Sequence, residues 1–295
     1  MSNLLRTGFV AIIGRPNVGK STLLNRLIGQ KISITSAKAQ TTRHTVRGIL
    51  TTATEQFVFV DTPGFQTRHK NALNRIMNRS VVQSLAAVDV ILFVIEAGRF
   101  AAADRALLPF LPAGVPVVAV INKVDRLERK DELLPFLAML SQELPGAEFV
   151  PVSAVKTIGI EELLKVVGAH LPEGEPLFEA DAITDRSERF LAAEFLREKL
   201  FRRLGEELPY GLTVEIERFE QEGELRRIHA AIIVDRTSHK AMVIGKGGEQ
   251  LKTMASEARR DMEQLFSGKV FLEVWVKVRG GWADDERALR SLGYE

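Results

Sequence analysis

The sequence predicts a two-part chain: an α/β domain with a mostly parallel sheet and helices on both faces, followed by a smaller α+β domain. Three observations predict it. A glycine loop, Gly14-Arg15-Pro16-Asn17-Val18-Gly19-Lys20-Ser21, sits between the apolar run 9–13 and an apolar-periodic stretch, 21–28, that Gly29 stops. Strand-like and helix-like stretches then alternate as far as about Leu171. Beyond Leu171-Pro172-Glu173-Gly174-Glu175-Pro176 the order of elements changes, and two prolines, a glycine and two acids in so short a span mark a boundary. The expected divisions are residues 1–172, a linker at 173–186, and 187–295.

The glycine loop is the most informative stretch. Strand, G-x-x-x-x-G-K-[ST] and helix form a phosphate cradle: Gly14 and Gly19 let successive N–H groups face one concavity, and the helix N-terminus adds positive potential. Lys20 can reach the outer phosphates, and the Ser21 hydroxyl can ligate Mg²⁺. Gly14, Arg15, Pro16, Asn17, Val18, Gly19, Lys20, Ser21 and Thr22 are the expected phosphate-side residues of a nucleotide site.

Along the first part, residues 46–51 and 56–60 read as paired strands around Thr52-Ala53-Thr54-Glu55, and 88–95, 116–121 and 148–152 as buried strands. Residues 71–86, 101–110, 130–144 and 160–171 read as helices. In such sheets ligands gather at the carboxyl ends of the strands, and each remaining motif follows a predicted strand. Asp61-Thr62-Pro63-Gly64 places a carboxylate where it can hold Mg²⁺ opposite Ser21, and a glycine whose N–H can approach a γ-phosphate. Asn122-Lys123-Val124-Asp125 suits base reading: the Asp125 carboxylate accepts from guanine N1–H and the 2-amino group, donors that adenine does not offer. Lys123 can cover the base, Asn122 can tie this segment to the glycine loop, and Ser153-Ala154 can add an N–H toward guanine O6.

Composition narrows the class. The chain has 295 residues and a formal net charge of +2, so nucleic-acid binding would need a local patch rather than a global field. With no cysteine there is no disulfide, thiolate metal site or cysteine nucleophile. The first residues lack the pattern of a signal peptide, and no apolar run approaches the ~20 residues of a membrane span. The reading is a cytoplasmic protein.

In the second part, Asp185 with Glu188 suits a capping box for a helix whose Leu196, Leu200 and Leu204 form one apolar stripe. Strands at 212–217 and 226–235, a short helix at 238–244, a long helix to about Phe266 and a strand at 270–278 follow. Gly245-Lys246-Gly247-Gly248 lies between the last two helices. G-x-x-G alone arises about once by chance in a chain this long. Here, after Ile244 and with Lys240, Lys246 and Lys252 at hand, it makes a loop whose backbone can approach a sugar-phosphate chain beside an apolar groove for about four unstacked bases. The plainer reading is a helix-turn-helix loop with solvated lysines.

The order of glycine loop, threonine-bearing loop, D-x-x-G, N-K-x-D and S-A resembles the Ras-like GTPases, and the forms of the first and third motifs resemble their Era branch. Helix-strand-strand-helix-helix-strand with G-x-x-G resembles a type II KH domain. The stretch from Asp181 through Asp185, Arg189, Phe190, Glu194, Arg197 and Glu198 is similar to the junction of the Era family, and Trp282, Leu289, Gly293 and Tyr294 are similar to its tail. Ala39-Gln40-Thr41-Thr42-Arg43-His44 is similar to the first switch of that branch; the likeness implies that Thr42 is the Mg²⁺ and γ-phosphate threonine, with Thr41 the alternative. It makes Lys20, Thr42 and Gly64 the catalytic set, and Ser21, Thr42 and Asp61 the metal set. Asn17 stands where some related GTPases bind K⁺. Phe65 stands where a Ras-like enzyme carries a water-orienting glutamine, which implies slow hydrolysis. The family further implies a GTP- and GDP-binding monomer that binds the 3′ end of small-subunit rRNA in ribosome assembly, with peripheral association at the inner face of the cell membrane. The alternatives are a nucleotide-gated RNA scaffold that barely turns over GTP, and an ATPase or kinase.

Overall fold

The computed structural model describes residues 5–38, 40–65, 72–205, 208–292 and 294. Ala39, Asn71 and Gly293 lie outside the described residues. The chain divides into two compact units. The first comprises Met1–Ser33, Thr42–Lys70 and Met77–Asp185; the second comprises Ile34–Thr41, Asn71–Ile76 and Arg186–Glu295. Residues 34–41 thus count with the second unit although they lie within the first part of the sequence.

The first unit runs β1 (Leu5–Ile13), α1 (Lys20–Ile28), β2 (Val46–Thr51), β3 (Glu55–Asp61), α2 (Ala72–Leu85, whose first residues count with the other unit), β4 (Val90–Glu96), α3 (Ala102–Arg105), β5 (Val117–Asn122), α4 (Leu133–Glu143), β6 (Glu148–Pro151), α5 (Ile160–His170) and β7 (Glu173–Gly174). The sheet order is β2-β3-β1-β4-β5-β6, with β7 paired to β1. All pairs are parallel except β2 with β3 and β7 with β1. Val10 to Ile13 and Val90 to Ile95 are fully buried, as strands covered on both faces require. The parallel arrangement brings the ends of β1, β3, β5 and β6 to one edge, where the loops carrying the chemistry begin.

Two predicted helices are shorter than their sequence suggested. Residues 101–110 form α3 and then a separate 3-10 turn, Leu108–Phe110. Pro109 has no N–H to continue an α-helix, and the Asp104 carboxylate turns back to accept from the Ala101 N–H at 2.8 Å. Residues 130–132 form a 3-10 turn, so α4 starts at Leu133 with Pro135 in its first turn, where proline is tolerated.

The second unit runs α6 (Glu188–Arg203), β8 (Leu212–Glu222), β9 (Leu225–Val234), α7 (Thr237–Ile244), α8 (Glu249–Phe266), β10 (Lys269–Val278) and α9 (Glu286–Ser291). Its sheet order is β10-β9-β8; β8 and β9 are antiparallel, β9 and β10 parallel. Alternation sends Ile228, Ala230, Ile232 and Val234 of β9, with Val270 and Val276 of β10, into one core with Phe195, Leu196 and Leu200 of α6 and Met254, Ala258 and Met262 of α8. The expected capping box does not form. Ser187 caps α6 by accepting from the Phe190 N–H at 3.3 Å. Asp185 pairs with Arg47 at 2.9 Å and Glu188 with Arg226 at 2.7 Å; a charged partner within reach outcompetes a main-chain amide for a carboxylate. In the tail, Trp282 Nε1 donates to Gly211 O at 3.2 Å, and the Tyr294 and Thr213 hydroxyls lie 3.0 Å apart. Among the described residues no helix is long and apolar enough to cross a membrane.

Candidate functional site

The first unit carries a site at the carboxyl edge of its sheet. Gly14 leaves β1 with φ +151, and a Cβ there would lie 2.5 Å from Val94 O, so the loop can turn against β4 only with glycine. Gly19, at φ +102, would place a Cβ 2.4 Å from Asn122 Nδ2. Between them Val18 is fully buried and anchors the loop, while Asn17 adopts φ 65, a left-handed turn that asparagine tolerates. Lys20, the first residue of α1, is buried and donates through Nζ to Gly14 O at 2.9 Å and Arg15 O at 3.1 Å. Burial lowers its pKa to about 8, opposed by the Asp61 charge. A lysine so desolvated is poised to gain a strong anionic partner.

Oxygens of four side chains converge next to it. Ser21 Oγ lies 2.8 Å from Thr42 Oγ1 and donates to Asp61 Oδ2 at 2.7 Å; Ser33 Oγ also donates to Asp61 Oδ2, at 3.0 Å. Asp61 is fully buried and its Oδ1 has no hydrogen-bond partner. Burial raises its pKa, against the pull of Lys20 and of the two serine hydroxyls. A buried carboxylate oxygen without a partner, beside two hydroxyl oxygens, fits a small hard cation such as Mg²⁺. Among the described residues no cluster of three or more acids and histidines competes as a metal site.

Thr62 Oγ1 donates to Ile12 O at 3.0 Å and ties the next loop to β1. A Cβ on Gly64 would press within 3.0 Å of Pro16, so a larger residue here would move the glycine loop. The Phe65 ring lies 5.2 Å from that of Phe110 and packs against the first unit's core.

The base-reading segment is braced from several sides. Asn122, at the end of β5, donates to Val18 O at 2.8 Å and accepts from the Ala154 N–H at 3.1 Å. Lys123 takes φ 68, and its Nζ reaches Asn17 O at 2.7 Å and Glu96 at 2.8 Å. The exposed Asp125 carboxylate accepts from Ser153 Oγ at 2.5 Å. The motifs read from the sequence therefore meet at one site. The sequence reading missed the acids beneath it. Glu96 bridges Lys123 and Arg15, and Arg15 also pairs with Asp104 at 3.1 Å. Burial works to raise the Glu96 carboxyl, but Lys123 and Arg15 outweigh it and hold the pKa below its ordinary value.

The second unit carries a groove of about 350 Å³ lined by Gly248, Leu251, Lys252, Ala255, Ser256 and Arg259 on one side and Leu272, Glu273 and Val274 of β10 on the other. The loop at its mouth depends on glycine: Gly245 has φ 72 and ψ −179, Gly247 φ 61 and Gly248 φ 80. Of the residues expected to contact RNA, Gly248 and Lys252 line the groove. Lys246 is exposed at the loop, Lys240 is half-buried on α7, and Ile244 packs partly against the core. The groove walls were not singled out from the sequence. Leu251 and Ala255, one turn apart directly after the loop, are the local signal that marks the α8 wall.

A family model described as 50S ribosome-binding GTPase matches residues 9–123, and one described as KH domain matches residues 207–283. The chain is 59% identical over 290 residues to the GTPase Era of Nitrosomonas eutropha, covering 98% of each. It is 55% identical over 294 residues to the GTPase Era of Bordetella avium, covering 100% of this chain and 99% of the other. Among solved structures, a tyrosine-to-alanine variant of Aquifex aeolicus Era bound to GDP and AlF4⁻ matches with a TM-score of 0.95 at 40% identity, covering 98% of this chain and 99% of that one. An Era complex with MgGDPNP and nucleotides 1506–1542 of 16S ribosomal RNA matches with the same score, identity and coverage. With a Ras-like site in one unit, a KH domain in the other and this likeness along nearly its whole length, the chain belongs to the Era family of GTPases.

Proposed function

We propose that this chain binds GTP with Mg²⁺, hydrolyses it slowly, and holds the single-stranded 3′ region of small-subunit rRNA through its KH groove during maturation of the small ribosomal subunit. The observation that carries the nucleotide half is the convergence of Ser21 Oγ, Thr42 Oγ1 and a partnerless Asp61 oxygen beside Lys20. Ser21, Thr42 and Asp61 would hold the metal, which would neutralise phosphate charge. Lys20 and the backbone from Gly14 to Thr22 would take the phosphates. Thr62, Pro63 and Gly64 would close over the γ-phosphate. Asn122, Lys123, Asp125, Ser153 and Ala154 would read guanine. Gly245 to Gly248 with Lys240, Ile244, Lys246 and Lys252 would hold RNA, and a relative of this fold is known with 16S rRNA nucleotides bound.

The working protein in this reading is a cytoplasmic monomer, and the family resemblance extends it to peripheral contact with the inner face of the cell membrane. Its functional divisions are residues 1–172, the linker 173–186 and the RNA-binding part 187–295. Asn17 would ligate K⁺ near the phosphates; its side chain is exposed at the loop, while its left-handed turn accounts for asparagine there without any ion. Hydrolysis several-fold faster in KCl than in NaCl at equal ionic strength is expected, and equal rates would remove K⁺ from the reading.

A second reading, a nucleotide-gated scaffold with almost no turnover, is favoured by Phe65, whose ring packs toward Phe110 and offers no group to orient water. Multiple-turnover phosphate release with and without immature small subunits separates the two. Competition between labelled GTP and ATP tests guanine reading directly; ATP displacing GTP at comparable concentration would overturn the assignment.

A further inference from the structure

Within the first unit, one carboxylate joins the phosphate side of the candidate site to its base-reading side. Glu96 ends β4, and strand register pairs it with Asn122 of β5, immediately before Lys123. Its two oxygens have different partners. Oε1 accepts from Lys123 Nζ at 2.8 Å, and Oε2 accepts from Arg15 Nη2 at 2.5 Å. Lys123 Nζ also donates to Asn17 O at 2.7 Å. Arg15 Nε donates to Asp104 Oδ2 at 3.1 Å, and Asp104 is fully buried. The side chains of Arg15, Glu96 and Lys123 are only 11%, 20% and 18% exposed, so salt screens these pairs much less than it would on an open surface.

The two cations do not depend on Glu96 equally. Arg15 keeps a second acid, Asp104, if Glu96 loses its charge. Lys123 has no other carboxylate among the described residues, and its remaining partner is the neutral carbonyl of Asn17. The asymmetry directs the effect of Glu96 to Lys123. Lysine carries its charge on a long flexible stem, and immobilising such a side chain on binding weakens a complex. Both partners of the Lys123 ammonium belong to the protein, so the stem is ordered before a base reaches it. We propose that Glu96 is a positioning residue for the nucleotide: it holds the Lys123 stem where it covers the guanine, and so sets how long GDP and GTP stay bound. This rests on the reading of Lys123 as the residue that covers the base. Ser21 Oγ and Asp61 Oδ2, on the metal side, are held by a separate set of bonds, so the chemical step lies outside this role.

The test follows release of ribose-labelled fluorescent GDP and GTP from the full chain during a chase with unlabelled nucleotide. Glu96→Gln keeps the size of the side chain and removes its charge. Both nucleotides then leave about three- to tenfold faster, the factor that ordering one long side chain implies. Single-turnover hydrolysis, at protein and Mg²⁺ concentrations that keep GTP bound, stays within about twofold of the parent, a split between binding and chemistry. Lys123→Ala alone also speeds release, and adding Glu96→Gln to it brings no further rise, because both changes act through one side chain. Glu96→Asp, which draws the carboxylate back by one methylene, gives a smaller rise and serves as the second variant if the glutamine one does not melt cooperatively. Parental release from Glu96→Gln or, if that fails to fold, from Glu96→Asp overturns the proposal. So does a matching fall in the hydrolysis of bound GTP, which marks a merely structural role. A double variant whose release rate multiplies the two single effects overturns it as well. Lys123→Ala alone tells which premise failed: if it leaves release unchanged, the reading of Lys123 as the base cover falls; if it speeds release while the Glu96 variants do not, only the positioning role of Glu96 falls.

Discussion

Gly247→Asp isolates the RNA interface from the fold. Gly247 sits at φ 61 and ψ 14, and a Cβ built there meets nothing within 4 Å. The substitution therefore costs only backbone strain, about 1 kcal/mol in the left-handed region and less for aspartate, which tolerates it. Gly245 offers no such separation, because a Cβ there would lie 2.6 Å from the Gln250 side chain. In the proposed reading the new carboxylate at the loop faces the path of the sugar-phosphate chain. One phosphate ~6 Å away repels it by roughly 0.7 to 3 kcal/mol for effective dielectrics of about 80 to 20. That converts to a loss of roughly 3- to 100-fold in RNA affinity. Fluorescence anisotropy with a short single-stranded RNA measures it, at low and at physiological salt, and the deficit should shrink as salt screens the added charge. Gly247→Ser carries the strain without the charge and should bind within about threefold of the parent, since a surface change away from packing costs little. GTP affinity should barely move in either variant, and the melting midpoint should fall by only the few degrees that about 1 kcal/mol of strain implies. If aspartate and serine bind RNA alike, and as well as glycine does, the loop is not an RNA contact and the reasoning fails.

Other outcomes follow from the same structure. Asp125→Asn replaces an acceptor of two guanine donors by a group that presents a donor of its own. With charge-assisted bonds worth about 1.5–3 kcal/mol each, GTP affinity should fall by about a hundredfold or more while xanthosine triphosphate gains; competition binding with both nucleotides checks it, and an unchanged preference refutes guanine reading through this residue. Phe195, fully buried in the core of the second unit, should cost about 3–5 kcal/mol when cut to alanine. Urea unfolding should register that loss with the GTP site of the first unit still able to bind nucleotide; concerted loss of both would contradict two separately packed cores.

Much of the nucleotide site was legible because its chemistry is local. Gly14 and Gly19 stand where the backbone turns between β1 and α1 without room for a Cβ, so spacing alone marks a candidate phosphate loop. The same holds for Asn122 to Asp125, where strand end, amide and carboxylate lie within four residues. The Era-like junction residues Glu194, Arg197 and Glu198 were visible as a similarity, but nothing in the sequence said what they touch. Their partners, Thr35 and Thr41, lie more than 150 positions away. The capping of α6 was misread for a related reason: Asp185 and Glu188 have the right spacing for a box, yet arginines far along the chain claim both carboxylates.

By itself the sequence determined which residues gather at the candidate nucleotide site and where the glycine-dependent loop lies, since short-range backbone geometry and side-chain chemistry leave few alternatives at those spacings. Only the tertiary structure decided that Glu96 and Asp104 brace the glycine loop through Arg15, that Leu272 and Val274 complete the groove, and that Ile34, Thr35 and Thr41 meet α6 or its core. Each of those depends on which distant groups reach one another first, and burial, charge pairing and strand register settle that only when the whole chain is folded.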